Sequence, residues 1–575
     1  MGNYNSILLL KLPYSTHPDV LTIDDNFRTK STFRPIPSLA LVSLCAFVDK
    51  YKTYDYHLKA VDVNIEAYTT PGVPIDVSSY RQLLNDCIKN NDYDVIALSA
   101  TFVFNVRWVD AAVKLSRKYH PEAKIILGGG YPTLFPEKCL KEHDVDHVVI
   151  GEGEASLLHI LNYYNNHRDY EFETKFPFEG YGSKNEKGEI TIFPAKHSFI
   201  NMKDIPPPAW HYLKVERYFN KSGDRTLPIE GSRGCPYNCT YCCTYLSWGK
   251  RVRYKPVENL INELVQTNNE YKPRFHFVDD NFSFSKEWFT EFLKELISLK
   301  LPLDMDMHNF SVKRLDEEII DLLIKAGIDH VTIAVESGSR EMQKRIRKNI
   351  DFNKVKEVVK IFKNKGMHFH ILWMLGFPHE TMDQINSTLN LARELKADTN
   401  HFSIVLPYPG TQLFEEAKNE NLLSFTGDNL DKYEYKKCDY LKHEELDCTR
   451  LQEISYDANI EMNFLNNPSL DTSNGREYIL NYFEDLLLRL PEHVVSHLLV
   501  GYIYKQKNNM IEYEKHYDSA IKLLRDPGLY NTFAKYLTWD YPIIKDFKSY
   551  IEARKVKIVT QNVAPASRQL RLSTS

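Results

Sequence analysis

The sequence predicts an α/β protein with three parts: an amino-terminal doubly wound parallel sheet, a central partial barrel, and a mainly α-helical carboxyl-terminal region. Two observations support this prediction. Short apolar runs alternate with segments of helical periodicity from residue 6 to about residue 412, which is typical of parallel sheets covered by helices. Beyond residue 423 the alternation stops, and charged segments with helical periodicity follow.

The first part contains five predicted strands, at 6–12, 58–63, 95–99, 124–127 and 147–150, with helices predicted at 37–48, 79–90, 106–119 and 154–163. Ligands of doubly wound sheets bind at the carboxyl ends of the strands. Two glycine-rich turns lie at such ends and are candidate ligand contacts: Gly128, Gly129 and Gly130, then Gly151, Glu152 and Gly153. Glycine permits close backbone approach to a ligand, although it also serves ordinary turns.

The middle part contains six predicted strands in series, with helices between them. The strands are predicted at 227–230, 274–278, 303–307, 330–335, 368–375 and 401–406. The helices are predicted at 256–268, 285–299, 316–326, 351–365 and 382–395. Such a series favours a partial (β/α)6 barrel of the TIM type, in which functional side chains gather at the carboxyl ends of the strands.

A CxxxCxxC motif, formed by Cys235, Cys239 and Cys242, follows the first barrel strand. Thiolates are the usual ligands of iron–sulfur clusters, and a 4Fe-4S cluster usually takes four, so three cysteines leave one iron open to a substrate or cofactor. The alternatives are a zinc site or buried thiols that act as small apolar groups. A structural zinc usually needs a second cysteine pair, and no second CxxC occurs in the chain. The adjacent Cys243 is not counted as a ligand.

Polar side chains follow the second and fourth barrel strands. Asp279 and Asp280 are candidates to accept hydrogen bonds from a ligand, with helix capping as the alternative for Asp280. Glu336, Ser337 and Ser339 end an apolar run. A carboxylate at that junction costs free energy unless it is paired, so we expect a ligand or cation beside Glu336.

The cysteine motif, with Tyr241 just before its last cysteine, resembles the radical S-adenosylmethionine (SAM) superfamily. Residues 1–430 resemble the members that carry an amino-terminal cobalamin-binding domain. That resemblance rests on LGGGYPTLFPE (127–137), VIGEGE (149–154), IPPPAW (205–210), DDNF (279–282), ESGS (336–339), GFPHET (376–381) and PYPGT (407–411).

The resemblance implies a 4Fe-4S cluster on the three cysteines, SAM on the open iron, and cobalamin at the two glycine-rich turns. The implied SAM contacts are Asp279, Asp280, Glu336, Ser337 and Ser339, with Tyr241 near the adenine and Arg251 or Arg253 toward the carboxylate. Many cobalamin domains place a histidine below the cobalt through an Asp-x-His-x-x-Gly motif, which this sequence lacks. We therefore expect His143 and His147 to be ordinary surface or edge residues.

Five segments are expected from these assignments. They are a Rossmann-like cobalamin-binding domain at 1–165, a connector at 166–222, a radical SAM domain at 223–425, a helical domain at 426–562 and a disordered tail at 563–575. Within the connector, residues 181–195 favour a hairpin or extended strand.

The composition and charge of the chain limit the classes of binding partner and the cell compartment that we expect. The formal net charge of −5 with mixed signs gives no basic face, so nucleic acid is not expected. No apolar run approaches the roughly 20 residues of a membrane span, and the amino terminus lacks a secretory signal. Nine cysteines without the pattern of a disulfide framework favour the cytoplasm. The expected partners are a small-molecule or peptide substrate and an external electron donor of the flavodoxin or ferredoxin type.

The resemblance implies a C-methyltransferase, in which a 5′-deoxyadenosyl radical from SAM removes hydrogen from a substrate carbon that then receives the methyl group of methylcobalamin. One alternative is a cyclase or rearrangement enzyme without methyl transfer, such as an anaerobic porphyrin-ring cyclase. Another is a non-catalytic cobalamin or iron–sulfur sensor. The full set of strand-end motifs argues against a sensor.

Overall fold

The computed structural model describes residues 4–14, 35–71, 76–185, 187–195, 199–425, 440–444 and 446–555. The predicted tail at 563–575 lies outside the described residues, as do residues 426–439, where the predicted helical domain begins. The predicted α/β class is confirmed, because parallel sheets form the first two parts and helices form the third.

The amino-terminal unit is one sheet of seven strands. These are β1 (Ser6–Lys11), β2 (His57–Asp62), β3 (Val95–Ser99), β4 (Lys124–Gly128), β5 (His147–Val149), β6 (Tyr181–Lys184) and β7 (Ile190–Phe193). Their order is β2-β1-β3-β4-β5-β6-β7, with β1 to β5 parallel. The antiparallel pair β6 and β7 is the hairpin predicted in the connector, and it extends this sheet beyond β5.

Nine helices of the described chain accompany this sheet. They are α1 (Leu39–Tyr51), α2 (Val63–Thr69), α3 (Val77–Lys89), α4 (Val106–Tyr119), α5 (Gly130–Leu134), α6 (Pro136–Glu142), α7 (Glu154–Tyr164), α8 (Tyr170–Lys175) and α9 (Val215–Ser222). Apolar side chains of α1 and α7 cover one face of the sheet, and those of α3 and α4 cover the other.

Residues 226–419 form what we call the six-strand unit. Its parallel strands are β8 (Thr226–Ile229), β11 (Arg274–Phe277), β12 (Asp304–Met307), β13 (His330–Glu336), β14 (His368–Leu375) and β15 (Thr399–Ile404). They form two three-stranded sheets, β12-β11-β8 and β13-β14-β15, and a single bridge between Phe310 and Ile333 links them. Two short strands, β9 (Ser232–Arg233) and β10 (Arg253–Tyr254), pair on either side of the cysteine loop.

Eight helices of the described chain belong to the six-strand unit. They are α10 (Thr244–Trp248), α11 (Val257–Tyr271), α12 (Lys286–Ser298), α13 (Glu317–Lys325), α14 (Arg340–Arg345), α15 (Phe352–Lys365), α16 (Met382–Leu395) and α17 (Gln412–Asn419). The two units share one apolar core, in which Phe377, Val405 and Leu413 pack with residues of β3 and β4. The carboxyl end of the first sheet therefore lies against the six-strand unit.

The carboxyl-terminal region contributes six helices to the described chain. They are α18 (Cys448–Ile460), α19 (Ser473–Arg489), α20 (Val494–Gln506), α21 (Met510–Leu523), α22 (Pro527–Phe533) and α23 (Pro542–Ala553). No helix among the described residues is long and apolar enough to cross a membrane.

Asparagine side chains join this region to β15, whose outer edge has no strand partner among the described residues. Asn463 accepts from the Asn400 amide (2.7 Å) and donates to the Asn400 carbonyl (2.8 Å). Asn459 makes the same pair of bonds to Phe402, at 3.2 and 3.1 Å. The unpaired backbone groups of an exposed strand edge can pair with a strand of another molecule. These asparagine side chains bond to the backbone groups of Asn400 and Phe402 instead.

The Asn463→Ala variant tests this attachment. Because a buried backbone group left without a partner costs about 1–3 kcal/mol, we expect the free energy of unfolding to fall by about 2 kcal/mol in urea denaturation. The matched control Asn386→Ala changes an exposed residue of α16, and we expect a change below about 0.5 kcal/mol. Equal losses from the two variants would contradict the proposed role.

Candidate active site

The predicted cysteine loop follows β8, at the carboxyl end of the six-strand unit. Cys235, Cys239, Cys242 and Cys243 are all free, half-buried thiols. The loop is anchored at its centre, because the Thr240 amide donates to the Ile346 carbonyl and the Thr240 carbonyl accepts from the Leu413 amide. Three free thiols in a backbone-anchored loop are the donor set that an iron–sulfur cluster requires.

Burial raises the pKa of three of these thiols, Cys235, Cys239 and Cys243, and nearby groups modify this effect. Burial raises the pKa of Cys239, while the positive charge of Lys348 opposes that shift. Burial raises the pKa of Cys243 to about 11, and the nearby Cys242 adds to the shift. Cys235 also has a neighbour, since the Asn281 amide nitrogen lies 3.8 Å from its sulfur.

Asp279 and Asp280 lie at the end of β11, but their surroundings differ. Asp279 is buried and accepts hydrogen bonds from the amides of Gly231 (3.1 Å) and Ser232 and from the Ser232 hydroxyl (2.5 Å). Asp280 is partly exposed and accepts from the Thr244 hydroxyl at 3.0 Å. Burial raises the pKa of Asp279 to about 7 and that of Asp280 to about 6. The capping alternative for Asp280 is wrong, because Ser285 caps α12.

Glu336 lies at an irregularity in β13, with a positive φ of 70°. Its carboxylate accepts from the Tyr241 hydroxyl (3.0 Å) and from the Lys348 ammonium (3.2 Å). Lys348 is thus a cation of the kind that the sequence predicted beside Glu336. The Tyr241 ring also packs against Phe377, with centroids 5.9 Å apart. Burial, followed by the charge of Glu336, raises the pKa of Tyr241 well above its usual value.

The two predicted serines stabilise the turn after β13. The Ser337 hydroxyl is fully buried and lies 3.2 Å from the Thr388 hydroxyl. Ser339 caps α14 by accepting from the Met342 amide. These contacts hold the turn that carries Glu336.

Two glycines after β4, Gly129 and Gly130, permit close contact with the loop after β3. A Cβ atom on Gly129 would lie 2.4 Å from the Ala100 carbonyl oxygen, and one on Gly130 would lie 2.3 Å from that of Thr101. Gly128 has room for a Cβ atom, with its nearest neighbour at 3.9 Å. Side chains at Gly129 and Gly130 would therefore separate the two loops.

The second glycine-rich turn faces the cysteine loop. A Cβ atom on Gly151 (φ 77°) would lie 3.4 Å from the Ser247 carbonyl in α10, which directly follows the cysteines. The Tyr408 hydroxyl accepts from the Val103 amide at 3.2 Å, so the loop after β15 also contacts the first unit. The carboxyl ends of the strands in the two units therefore face each other across the cysteine loop.

A buried charge cluster joins the two units beside this site. Arg233 donates to Glu154 (2.7 Å) and Glu230 (2.6 Å), and its other terminal nitrogen lies 3.5 Å from Glu152. Arg253 donates to Glu152 at 2.5 Å. All five side chains are at least 88% buried, because none is more than 12% exposed. Burial opposes ionisation of Glu230, but the charge of Arg233 keeps its pKa below the usual value.

This cluster includes two residues with predicted ligand contacts. Glu152, a candidate for cobalamin, also accepts from the Ile200 amide at 2.8 Å. Arg253, a candidate for the SAM carboxylate, donates to the Ile200 carbonyl at 2.7 Å. In the structure these groups bind each other and the connector.

The expectation that His143 and His147 are surface or edge residues is wrong for both. His143 is buried between Asp110 (2.8 Å) and the Tyr131 hydroxyl (3.1 Å). His147 is buried in β5, which pairs with strands on both sides, and burial lowers its pKa to about 4.

Comparison with known proteins identifies both units. The Radical SAM superfamily model matches residues 229–392, and the B12 binding domain model matches residues 37–161. Cytidylyl-2-hydroxyethylphosphonate methyltransferase of Streptomyces wedmorensis is 27% identical over 66% of this chain and 77% of its own. Anaerobic magnesium-protoporphyrin IX monomethyl ester cyclase of Cereibacter sphaeroides is 24% identical over 67% of this chain and 61% of its own.

A solved structure has the same overall fold. The radical SAM methyltransferase TsrM from Kitasatospora setae, determined with cobalamin and a [4Fe-4S] cluster bound, superposes with a TM-score of 0.58. It covers 91% of this chain and 99% of its own, at 15% identity.

A B12-binding domain followed by a radical SAM domain defines the class of cobalamin-dependent radical SAM enzymes. This chain matches both models in that order, the B12 binding domain before the Radical SAM superfamily. The predicted family is therefore confirmed, together with the predicted cofactors: a 4Fe-4S cluster, SAM and cobalamin. Lys348 and Arg233 were not among the predicted functional residues.

The Arg233→Met variant tests the charge cluster. Removing the guanidinium leaves buried carboxylates without their partner, and breaking a buried ion pair costs about 3–5 kcal/mol. We expect a lower urea midpoint and faster proteolysis between the two units. Arg217→Met is the control, because Arg217 binds Glu66 at 3.1 Å with a 44% exposed side chain, and we expect a loss below about 1 kcal/mol. A similar small loss in both variants would contradict the role of Arg233.

Proposed function

We propose that this protein is a cobalamin-dependent radical SAM methyltransferase that methylates a carbon atom of a small-molecule or peptide substrate. The observation that carries the proposal is the position of the cysteine loop. It lies between the carboxyl ends of the strands of the B12-binding unit and those of the radical SAM unit. The match to a methyltransferase over 77% of its length supports the reaction type.

Cys235, Cys239 and Cys242 would hold the cluster, and the two glycine-rich turns, 128–130 and 151–153, would adjoin cobalamin. When bound, the cluster and SAM supply a one-electron cleavage that activates a substrate carbon, and cobalamin supplies the methyl group. The protein provides positions for these groups and excludes solvent from them.

Two carboxylates near the cysteines are suited to bind the polar groups of SAM. Glu336 forms an ion pair with Lys348, so the two side chains present both a hydrogen-bond acceptor and a donor near Cys239. Asp280 is partly exposed, and with a pKa of about 6 it is mostly ionised above neutral pH. An ionised carboxylate accepts strong hydrogen bonds from an ammonium group. Asp279, Ser337 and Ser339 would act by holding the backbone around them.

Aromatic side chains would keep water from the site. The Tyr241 ring is packed against Phe377, and the Tyr408 ring joins the core shared by the two units. Reduction of the cluster requires an electron from outside the chain, so we propose an external donor of the flavodoxin or ferredoxin type. The free thiols of the cysteine motif suit a reducing compartment such as the cytoplasm.

Methyl transfer can be separated from cyclisation by isotope labelling. We expect methyl-deuterated SAM to yield both 5′-deoxyadenosine and a product that carries the label, after anaerobic reconstitution with iron, sulfide and cobalamin and addition of a chemical reductant. Candidate substrates would be screened by mass spectrometry. Unlabelled product with 5′-deoxyadenosine would favour the cyclase alternative, for which the Cereibacter relative provides a specific precedent. Cobalamin binding without any 5′-deoxyadenosine would favour a sensor.

The cysteine assignment gives a second prediction. We expect Cys239→Ala to lose the visible absorbance of the cluster and most of the roughly four iron atoms per chain. The matched variant Cys243→Ala is expected to retain both, because Cys243 is outside the CxxxCxxC spacing. Iron content and absorbance measured on both proteins test the assignment. Equal iron loss from both would overturn it.

A further inference from the structure

A layer of polar side chains lies inside the six-strand unit, away from the cysteines in sequence. In β11 and β12, Phe275, Phe277, Met305 and Met307 are buried in the apolar core. The alternating positions carry His276, Asp306 and, just after β12, His308. Side chains alternate between the two faces of a strand, so these polar groups share the opposite face.

Two of these side chains, His276 and His308, border a cavity of about 370 Å³. Its lining includes His276, His308, Asn309, Thr332, His370 and Leu372. The interiors of parallel barrels are usually filled by bulky branched apolar residues. Here three histidines, His276, His308 and His370, lie among the lining residues beside open space, so this face is not a fully packed apolar layer.

The two lining histidines, His276 and His308, converge with the neighbouring Asp306. Each offers a ligand atom, and the three atoms lie within 4.8 Å of one another. The Asp306 carboxylate is 3.1 Å from His276 Nδ1 and 3.0 Å from His308 Nε2. All three side chains are only partly exposed, at 25%, 16% and 31%.

Neighbouring side chains hold this group in place. His330 Nε2 lies 3.0 Å from the Asp306 carboxylate, and the Thr332 hydroxyl lies 2.9 Å from His308 Nδ1. Outer hydrogen bonds of this kind orient metal-binding histidines and carboxylates. Asn309, on the cavity wall, donates to the Asp279 carbonyl at 3.0 Å, so the cavity adjoins the strand end that supports the cysteine loop.

We propose that His276, Asp306 and His308 form a binding site for a divalent transition-metal ion, represented here by Zn²⁺. Two imidazoles and one carboxylate are a ligand set that zinc and related ions accept. Three protein ligands leave a further coordination position for water or for a polar group of a molecule in the cavity. The site is distinct from the cysteine motif and does not depend on the proposed methyl transfer.

The test uses the holoenzyme, reconstituted with cluster and cobalamin, then equilibrated with zinc sulfate and desalted. Zinc, iron and cobalt are counted by mass spectrometry. We expect about one zinc per chain in the parent. In the His276→Gln/His308→Gln variant we expect the zinc retained per chain to fall by more than about tenfold, with iron unchanged. The control His57→Gln/His211→Gln, at two exposed histidines, should retain the zinc.

Equal zinc binding by the parent and the His276→Gln/His308→Gln variant would overturn the proposal, as would absence of zinc from the parent. Constant iron excludes zinc bound at the cysteines as the source of a difference. If the double variant also loses iron, crystals of the parent soaked in zinc decide the question. An anomalous peak about 2.1 Å from nitrogens of His276 and His308 supports the site. A peak confined to the cysteines contradicts it.

Discussion

The contact on which the candidate site most depends is the buried charge cluster around Arg233. One guanidinium meets three carboxylates, two from the loop and helix after β5 and one from the end of β8. Charges so deeply buried are stable only when they are paired, so the cluster permits few relative positions of the two units. Arg233 lies two residues before Cys235. The same contact therefore sets where the cysteine loop lies relative to the B12-binding unit.

The location of the site could be predicted from the sequence, because strand-end loops of parallel sheets gather at one edge. The partner of each side chain could not. Asp279 has the residue type and position of a ligand contact, yet it accepts bonds from the backbone of the cysteine loop. Glu152 likewise pairs with arginine. A carboxylate at a strand end has the same sequence signal whether it faces a ligand or a neighbouring loop.

Contacts between segments that are distant in the sequence could not be predicted either, because a local pattern does not identify the partner of a side chain. Lys348 follows Glu336 by 12 residues and lies in a basic stretch that is equally typical of a solvated surface. Asn463 pairs with the edge of β15 across 63 residues, and nothing local distinguishes it from an exposed asparagine. Helical periodicity predicts that a helix forms. It does not specify which strand edge the polar side chains of that helix will satisfy.

The alternation of apolar and polar residues within a strand, by contrast, also predicts which side chains face the core and which face the opposite side. In β14 the sequence HFHILWML places Phe369, Ile371 and Trp373 in the apolar core and His370 on the cavity wall. Imidazole groups on the inner face of a strand replace apolar side chains that would pack there. This lowers the stability of the folded state unless a ligand or a hydrogen-bond network compensates. Part of that compensation is visible in the bonds around Asp306. The open volume lies beside these bonds, where we propose the metal site.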